Sequence, residues 1–501
     1  MAVGRVDVEG LLRACLTDGP HPRVRASLVA LHAEAPYAVW CEAFAPPEAR
    51  EPASRYRLLL AQRGKDHEAR ILGSRRPGLA PLSFETAEAG FRLVLEGMVD
   101  GVRALAGPPL LYLPEGLTGR PDLLERIEGI PSRFGPYAYR VVEIKSARHL
   151  AEAHRVQAAF YNLLLGRIQG VEAPSVILIN GDGQVFEQAW EGLRPALREA
   201  LEGTRAIVSR LVEPEPIRGA SPWPWTAYAD RQAEARQDLS LLPGVGEATR
   251  EALRGAGLKT VSDVAGVAES ALARLPRIGA GRAGGLKAAA TALLTGRPVR
   301  IQSGRVPLPT APVEVFVDLE GAGPLDPSGD LLPFDYLIGT LIRRGGEVLY
   351  RPFLAASPAE EERITGDFVA FCEAFPAAPL YHWHTYERTR LKVLFGRHGI
   401  PQGRAASVLG RLTDLHRLAT RAVAFPVPGT GLKAVARALG FSWRLADVDA
   451  LESVVLFLEY AADPAGRADA LARILTYNED DCRATAFVKD WLAALDPGDS
   501  I

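Results

Sequence analysis

The sequence predicts an α/β protein of several domains, and three observations carry that reading. At 501 residues the chain is too long for one core and suggests roughly two to four domains. Two distant stretches, YRVVEIKSAR and VEVFVDLEG, alternate as strands, and each is followed by helical patterns. Between them lies a compact block rich in Gly and Ala with a helical pattern. The expected division is a first α/β domain over 1–212 and a Pro- and Trp-rich linker or packing segment over 213–238. A small all-α domain over 239–297 follows, then a second linker over 298–312 and a second α/β domain over 313–501. LLPGVGEATREAL and RLPRIGAGRAGGL read as a weak internal repeat inside the all-α block.

Composition narrows the class. Apolar residues make up 48% and charged residues 24%, the balance of a soluble globular chain. No apolar run is long enough for a membrane span, and MAVGRVDVEGLLRACLTDGP lacks the pattern of a signal peptide. Cys15, Cys41, Cys372 and Cys482 are scattered without CxxC spacing. That argues against a disulfide framework or a zinc site, fits a reducing compartment, and makes the cytoplasm the expected location. The net charge of −2 is not that of a protein that coats nucleic acid. Acid clusters neutralised by cations, with local arginines for phosphate, escape that objection. No GxxxxGK[ST] loop is present, so any ATP motor, such as a helicase, must come from a partner.

The first set of candidate residues starts in TGRPDLLERIEG and AYRVVEIKSAR, read as strands joined through PSRFGPY. Alternation puts Glu143 and Lys145 on one face, and pairing of the strands brings Asp122 to them. Two carboxylates on one face can hold a divalent cation, and a lysine beside them can orient water or stabilise charge on a phosphate. In the helical pattern HLAEAHRVQAAFYNLLLGRIQ, His154, Gln157 and Tyr161 share a face. Upstream, RGKDHEARIL offers His67 and Glu68 on another helix. A lone ExK is ordinarily an exposed charge pair; it gains meaning only with the ordered set around it.

That order, HE, PD, ExK and QxxxY over about residues 55–180, resembles the RecB-type branch of the PD-(D/E)xK nucleases. The resemblance implies a restriction-endonuclease-like fold. It also implies metal ligation by Glu68 or His67, Asp122 and Glu143, catalysis by Lys145, and a site completed by Gln157 and Tyr161 at the nucleic-acid end. Some relatives carry three further cysteines that hold an iron–sulfur cluster. Around ASPWPWTAYADRQAEA this chain has none, so no cluster is expected, and Trp223 and Trp225 are candidates to fill that volume.

In the central block, LLPGVGEATREALRGAGLKTVSDVAGV reads as helix, tight turn, helix. Gly244 and Gly246 permit positive φ, and amides at a helix start can bind a phosphate oxygen. This resembles a helix-hairpin-helix motif, which contacts nucleic acid without reading sequence. In the second copy Arg277 stands where the first glycine would be. The candidate contacts are the turns Gly244-Val245-Gly246 and Gly279, with Arg250, Arg277, Arg282 and Lys287 for phosphate. A helical spacer with glycine turns is the competing reading.

The second constellation lies in VEVFVDLEG, where alternation separates Val315, Val317 and Leu319 from Phe316, Asp318 and Glu320. In LTYNEDDCRATAFV, read as a helix, Tyr477 and Asp481 are one turn apart. Acids converging from separate segments suit a two-metal site, with Tyr477 placed to orient a water. The pattern resembles DEDD exonucleases of the RNase H-like superfamily, in the YprB-like branch with a Tyr-x-x-x-Asp third motif. PLYHWHTYERTRLKVL sits where the second motif belongs, and GTGLKAVARALGFSW precedes the last helix. The usual aspartate is replaced by Glu387, one methylene longer. Asp414 and Asp480 are alternative acids, Asp414 behind the ligands and Asp480 solvent-facing or auxiliary. Trp383 and His384 are candidates to stack on a terminal base, with core packing as the ordinary role for the tryptophan.

These resemblances imply a nuclease that uses Mg²⁺ or Mn²⁺, acts on nucleic acid (DNA ahead of RNA) in a repair-type role, and trims 3′ ends at its C-terminal site. The competing expectation is a nucleic-acid-binding adaptor that recruits a helicase or repair partner through inactive nuclease folds.

Overall fold

The computed structural model describes residues 6–322 and 334–495. They form two compact units. One holds residues 57–232 with the segment before 54, and the other holds 54–56 and everything from 233 onward that is described. No described helix is long and apolar enough to cross a membrane.

The first unit is built on a five-stranded sheet. Its strands are β1 (Ala104–Ala106), β2 (Leu123–Ser132), β3 (Gly135–Ile144), β4 (Ser175–Ile179) and β5 (Val185–Ala189), in that spatial order. Neighbours are antiparallel except β3 and β4, which are parallel. A parallel pair needs a crossover, and α4 (Glu152–Gln169) supplies it. Among the helices before it are α1 (Ala26–Glu34), α2 (Pro36–Phe44) and α3 (Arg55–Arg75), and α5 (Trp190–Val208) follows the sheet. The buried face of α4 (Val156, Ala159, Phe160, Leu164, Ile168) joins Tyr139, Val141 and Val176 of the sheet in the largest core. The β2–β3 connection is tighter than PSRFGPY suggested, because the strands run on to Ser132 and resume at Gly135.

The 213–238 stretch is a packing segment carrying a helix, Thr226–Ala235. Trp225 is buried against Tyr37 and Cys41 and donates to Glu42 Oε2 at 2.8 Å.

The second unit opens with the small helical block. Its main helices are α6 (Glu247–Gly255) and α7 (Gly279–Thr295), packed around Leu253, Val261, Leu272 and Leu286. The 298–312 stretch is tied down at its start, where Val299–Arg300 pairs antiparallel with Val423–Ala424.

A second five-stranded sheet follows, made of β6 (Val313–Gly321), β7 (Asp335–Arg344), β8 (Glu347–Leu354), β9 (Leu380–His382) and β10 (Leu412–Asp414). Its spatial order is β8-β7-β6-β9-β10. The three long strands form an antiparallel meander, and β9 and β10 add in parallel beside β6. Helix α8 (Glu361–Ala374) and helix α9 (Tyr386–Arg397) cover one face with Val315, Val317 and Leu319 beneath them. The other face carries Phe316, stacked on Tyr381 at 5.3 Å between ring centroids. Helix α10 (Ala468–Ala493) crosses it. Along α10, Ile474, Tyr477, Asp481, Ala484 and Val488 are buried at spacings of three and four residues, the period of one helix face. The strand alternation read from VEVFVDLEG is the one observed.

Candidate functional site

The C-terminal site forms where β6 meets α10. Asp318, Glu320 and Asp481 each present an oxygen within 4.8 Å of the other two. An oxygen-only set of this kind fits Mg²⁺ or Mn²⁺. Asp318 Oδ2 accepts from Asn478 Nδ2 at 2.7 Å, and Tyr350 donates to Asn478 Oδ1 at 2.8 Å. Asp481 Oδ1 accepts from Trp443 Nε1 at 2.6 Å. The pleat makes room for this. Gly339 lies opposite Asp318, and a Cβ there would stand 1.5 Å from Asn478 Oδ1.

Burial raises all three carboxyls, and repulsion by neighbouring members of the trio adds to it at Asp318 and Glu320. Asp318 is pushed well above the usual range by burial and then by Asp481, Glu320 and Glu387. Burial and Asp481 lift Glu320 to about 8. Burial lifts Asp481 to about 6, against the opposing pull of the Trp443 hydrogen bond and Lys433. Lys433 lowers all three carboxyls. Its Nζ lies 4.3 Å from the centroid of the Tyr477 ring and donates to Val448 O at 3.3 Å. Burial and the acids around Tyr477 hold its hydroxyl protonated.

The fourth expected acid, Glu387, stands at the start of α9 and is 4% exposed. It does not join the trio of converging acids. Asp480 is not solvent-facing as the sequence suggested. It is buried and accepts from Arg444 N and Nε at 2.8 and 2.7 Å. Asp414 caps the helix Leu415–Ala422 by accepting from Arg417 N. Trp383 is buried and donates to Thr430 O, whereas His384 is exposed with φ +70°.

In the first unit, β2 and β3 bring the expected set together. Asp122 Oδ2 accepts from Ile144 N at 2.7 Å, and Glu143 Oε1 accepts from Asp122 N at 3.1 Å. Lys145 Nζ donates to Glu143 Oε2 at 2.7 Å and to Gln157 Oε1 at 3.0 Å. Gln157 Nε2 in turn donates to Tyr161 Oη at 3.3 Å. Burial and Asp122 raise Glu143 to about 7. Burial alone would pull Lys145 down, but Glu143 and Asp122 more than offset it, so it stays charged. Of the two upstream candidates, Glu68 feels this site, since burial and then Asp122 raise its carboxyl, but Glu68, Asp122 and Glu143 do not converge as a trio among the described residues. His67 meets Arg70 instead, at 2.9 Å from Nδ1. His154 sits near Lys145, and burial lowers its pKa.

In the helical block, Gly244 has φ +72° and Arg277, its counterpart in the second copy, has φ +66°. The repeat is therefore real in the backbone, and an arginine occupies a left-handed position that favours glycine. Gly246 does not use positive φ; at φ −83°, ψ −179° it precedes α6 with no side-chain cap, while Val245 N of the same turn donates to Leu242 O. Gly279 adopts φ +66°. Val245 packs on the core of the block. Arg282 joins the two turns by donating to Arg277 O at 2.8 Å and Gly244 O at 2.7 Å. Arg250 and Lys287 serve internal contacts, with Asp238 and Val267 O respectively. Arg277 is exposed.

Motif reading passed over Asn478, Trp443, Lys433 and Gly339. Lys433 lies in GTGLKAVARALGFSW, a segment read as supporting the DEDD resemblance without any of its residues being singled out. Nothing in its own sequence marks it; its place beside the acids is set by the fold.

Two family models match the chain. Residues 315–493 match an RNase H superfamily domain, and residues 237–291 match a SAM-like helix-hairpin-helix tandem. No curated protein matches the chain. The C-terminal domain is thus RNase H-like, the central block is a hairpin tandem, and both point to nucleic acid.

Proposed function

We propose that the protein is a metal-dependent nuclease with two catalytic domains flanking a hairpin clamp. The observation that carries this is the convergence of Asp318, Glu320 and Asp481 in an RNase H-like domain. A bound divalent cation would lower the pKa of an attacking water and neutralise charge on the phosphate. The chain's own groups supply the rest. Asn478 and Trp443 hold two of the acids in place. Tyr477, protonated and hydrogen-bonded to Asp481 one turn away, would orient the water that attacks phosphorus. Lys433 offsets the repulsion of the acids before phosphate arrives. The water oxygen bonds to phosphorus and gives up a proton to solvent, the bond to the leaving oxygen breaks, and that oxygen takes up a proton from solvent. Trimming of 3′ ends follows from the likeness to DEDD exonucleases.

The first unit is read as a RecB-like PD-(D/E)xK domain. The linked chain Asp122, Glu143, Lys145, Gln157 and Tyr161 supports it. There Asp122, Glu143 and Glu68 would hold the cation, and Lys145 would stabilise charge on the phosphate. DNA is the favoured substrate, and the hairpin turns would grip its backbone through amides and Arg277. The test follows 3′- and 5′-labelled single strands and duplexes, in DNA and in RNA. Mononucleotides released first from the 3′ end are expected from the C-terminal site. Binding without shortening under Mg²⁺ and Mn²⁺ would instead make the chain a nucleic-acid-binding adaptor.

A further inference from the structure

A cavity of about 220 Å³ lies where the hairpin tandem meets the RNase H-like domain. Both of its walls belong to one compact unit. They are joined by the strand pair Val299–Arg300 with Val423–Ala424, and Ala424 enters the core of the helical block. Leu286 and Ala289 of α7 form one wall, and Val423 and Phe425 form the other, all four buried. The rim is polar and reachable: Arg282 is exposed, and Thr420 and Thr430 are half-buried. Among the described residues of the lining, Arg282 alone carries a charge.

Size and chemistry both point to one nucleotide. An apolar cavity of about 150 Å³ already holds benzene, and drug-sized ligands need about 300 Å³ or more. The space between those limits suits a single fused ring system. An apolar floor accepts the face of any base, because every base has a π-face. Thr420 spends its hydroxyl proton on His416 O at 2.8 Å and keeps its lone pairs, so it can accept from a base N–H. Arg282 spends two donors on Arg277 O and Gly244 O. Its other donors have no partner among the described residues and suit a phosphate oxygen. The far rim is tied to the second-motif segment, since Thr430 O accepts from Trp383 Nε1 at 3.1 Å.

Gly285 keeps the space open. It lies inside α7, and a Cβ there would meet only Ile301 Cδ1, at 4.0 Å. Glycine is the poorest helix former apart from proline, so a mid-helix glycine without a crowding neighbour has another reason to be there.

We propose that this cleft takes one unpaired nucleobase of the substrate strand, with Arg282 on the adjoining phosphate. The hairpin tandem and the RNase H-like domain then hold one strand jointly. The substrate must offer an unpaired nucleotide, because a base inside a duplex is stacked and paired. This rests on the nucleic-acid reading and deepens it by naming the form of the strand.

The probe is a DNA duplex with a 3′ single-stranded overhang carrying 2-aminopurine at one position at a time, kept in chelator so that no strand is cut. The full parent chain should protect one position from quenching by acrylamide. Gly285→Leu fills the cleft, so that protection should vanish and affinity for the overhang should fall about 10-fold. Thermal stability should hold or rise, since leucine replaces a mid-helix glycine. No protected position, or protection that persists in Gly285→Leu, overturns the proposal. A more stable variant that binds the overhang equally also overturns it, because the cleft is then a packing void. If Gly285→Leu fails to fold, Gly285→Met puts a more flexible chain in the same space and decides between the same outcomes. Cleavage of the same strands in Mn²⁺ is read separately. Absent protection beside Asp318-dependent cleavage would remove only this site, whereas protection without any cleavage would keep it and remove the nuclease reading.

Discussion

Asn478 donates to Asp318 at 2.7 Å because residue 339, directly across the sheet, is glycine. Any larger residue would occupy the space of the Asn478 side chain. Gly339→Ala should therefore displace Asn478, free Asp318 and lower Mn²⁺ affinity about 10–100-fold, as loss of a ligand-orienting partner typically does. Calorimetric titration of Mn²⁺ into Gly339→Ala and Asn478→Ala checks this. Equal affinity in both variants and the parent would show that Asn478 does not position the acid.

Lys433 is the group that tempers three mutually repelling carboxyls. Lys433→Met keeps the stem and removes the charge, so the carboxyls should hold their protons to higher pH. The pH midpoint of Mn²⁺ binding should move upward by about one unit. A midpoint that stays in place would place the ammonium too far from the acids to matter.

The raised carboxyls also set a pH trend in metal-free stability. Glu320 titrates near 8 in the fold against 4.5 as its ordinary value, and Glu143 near 7. Between those limits the folded chain binds more protons than the unfolded one, so stability is fullest at low pH and falls as pH rises toward 8. A cation reverses the trend by replacing the protons. Thermal melts should show Tm falling from pH 5 to pH 8 in chelator, with Mn²⁺ raising Tm more at pH 8 than at pH 5. A larger metal effect at pH 5 would contradict the assignment.

At the hairpin, Arg277 holds a left-handed conformation and an exposed side chain. Arg277→Gly relieves about 1 kcal/mol of backbone strain while loosening the unfolded chain, so stability should change by less than about 1 kcal/mol. Nucleic-acid affinity should fall, and the salt dependence of binding should shrink by about one phosphate contact. Unchanged binding and salt slope would leave the turn's amides, without Arg277, as the clamp.

The acids themselves were legible because their signals are local. Period two in VEVFVDLEG and one helical turn between Tyr477 and Asp481 place three of them without knowledge of the fold. The Glu143–Lys145 pair was read the same way. What local pattern misses is set by distant elements. Asn478 reaches Asp318 only because a glycine faces it from β7, and Lys433 enters from a helix more than 100 residues after β6. Asp480 was read as solvent-facing or auxiliary beside Asp481, yet it is buried, paired with the half-exposed Arg444. Gly246 looked like a positive-φ glycine, yet it is extended at a helix start.

The most direct measurement is metal-dependent cleavage of end-labelled DNA and RNA by the parent chain, Lys145→Ala, Asp318→Ala and the double variant. Each single variant should lose one activity by about 100-fold or more and keep the other, and only the double variant should be inert. Cleavage that survives in the double variant, or that needs no divalent cation, would contradict the account.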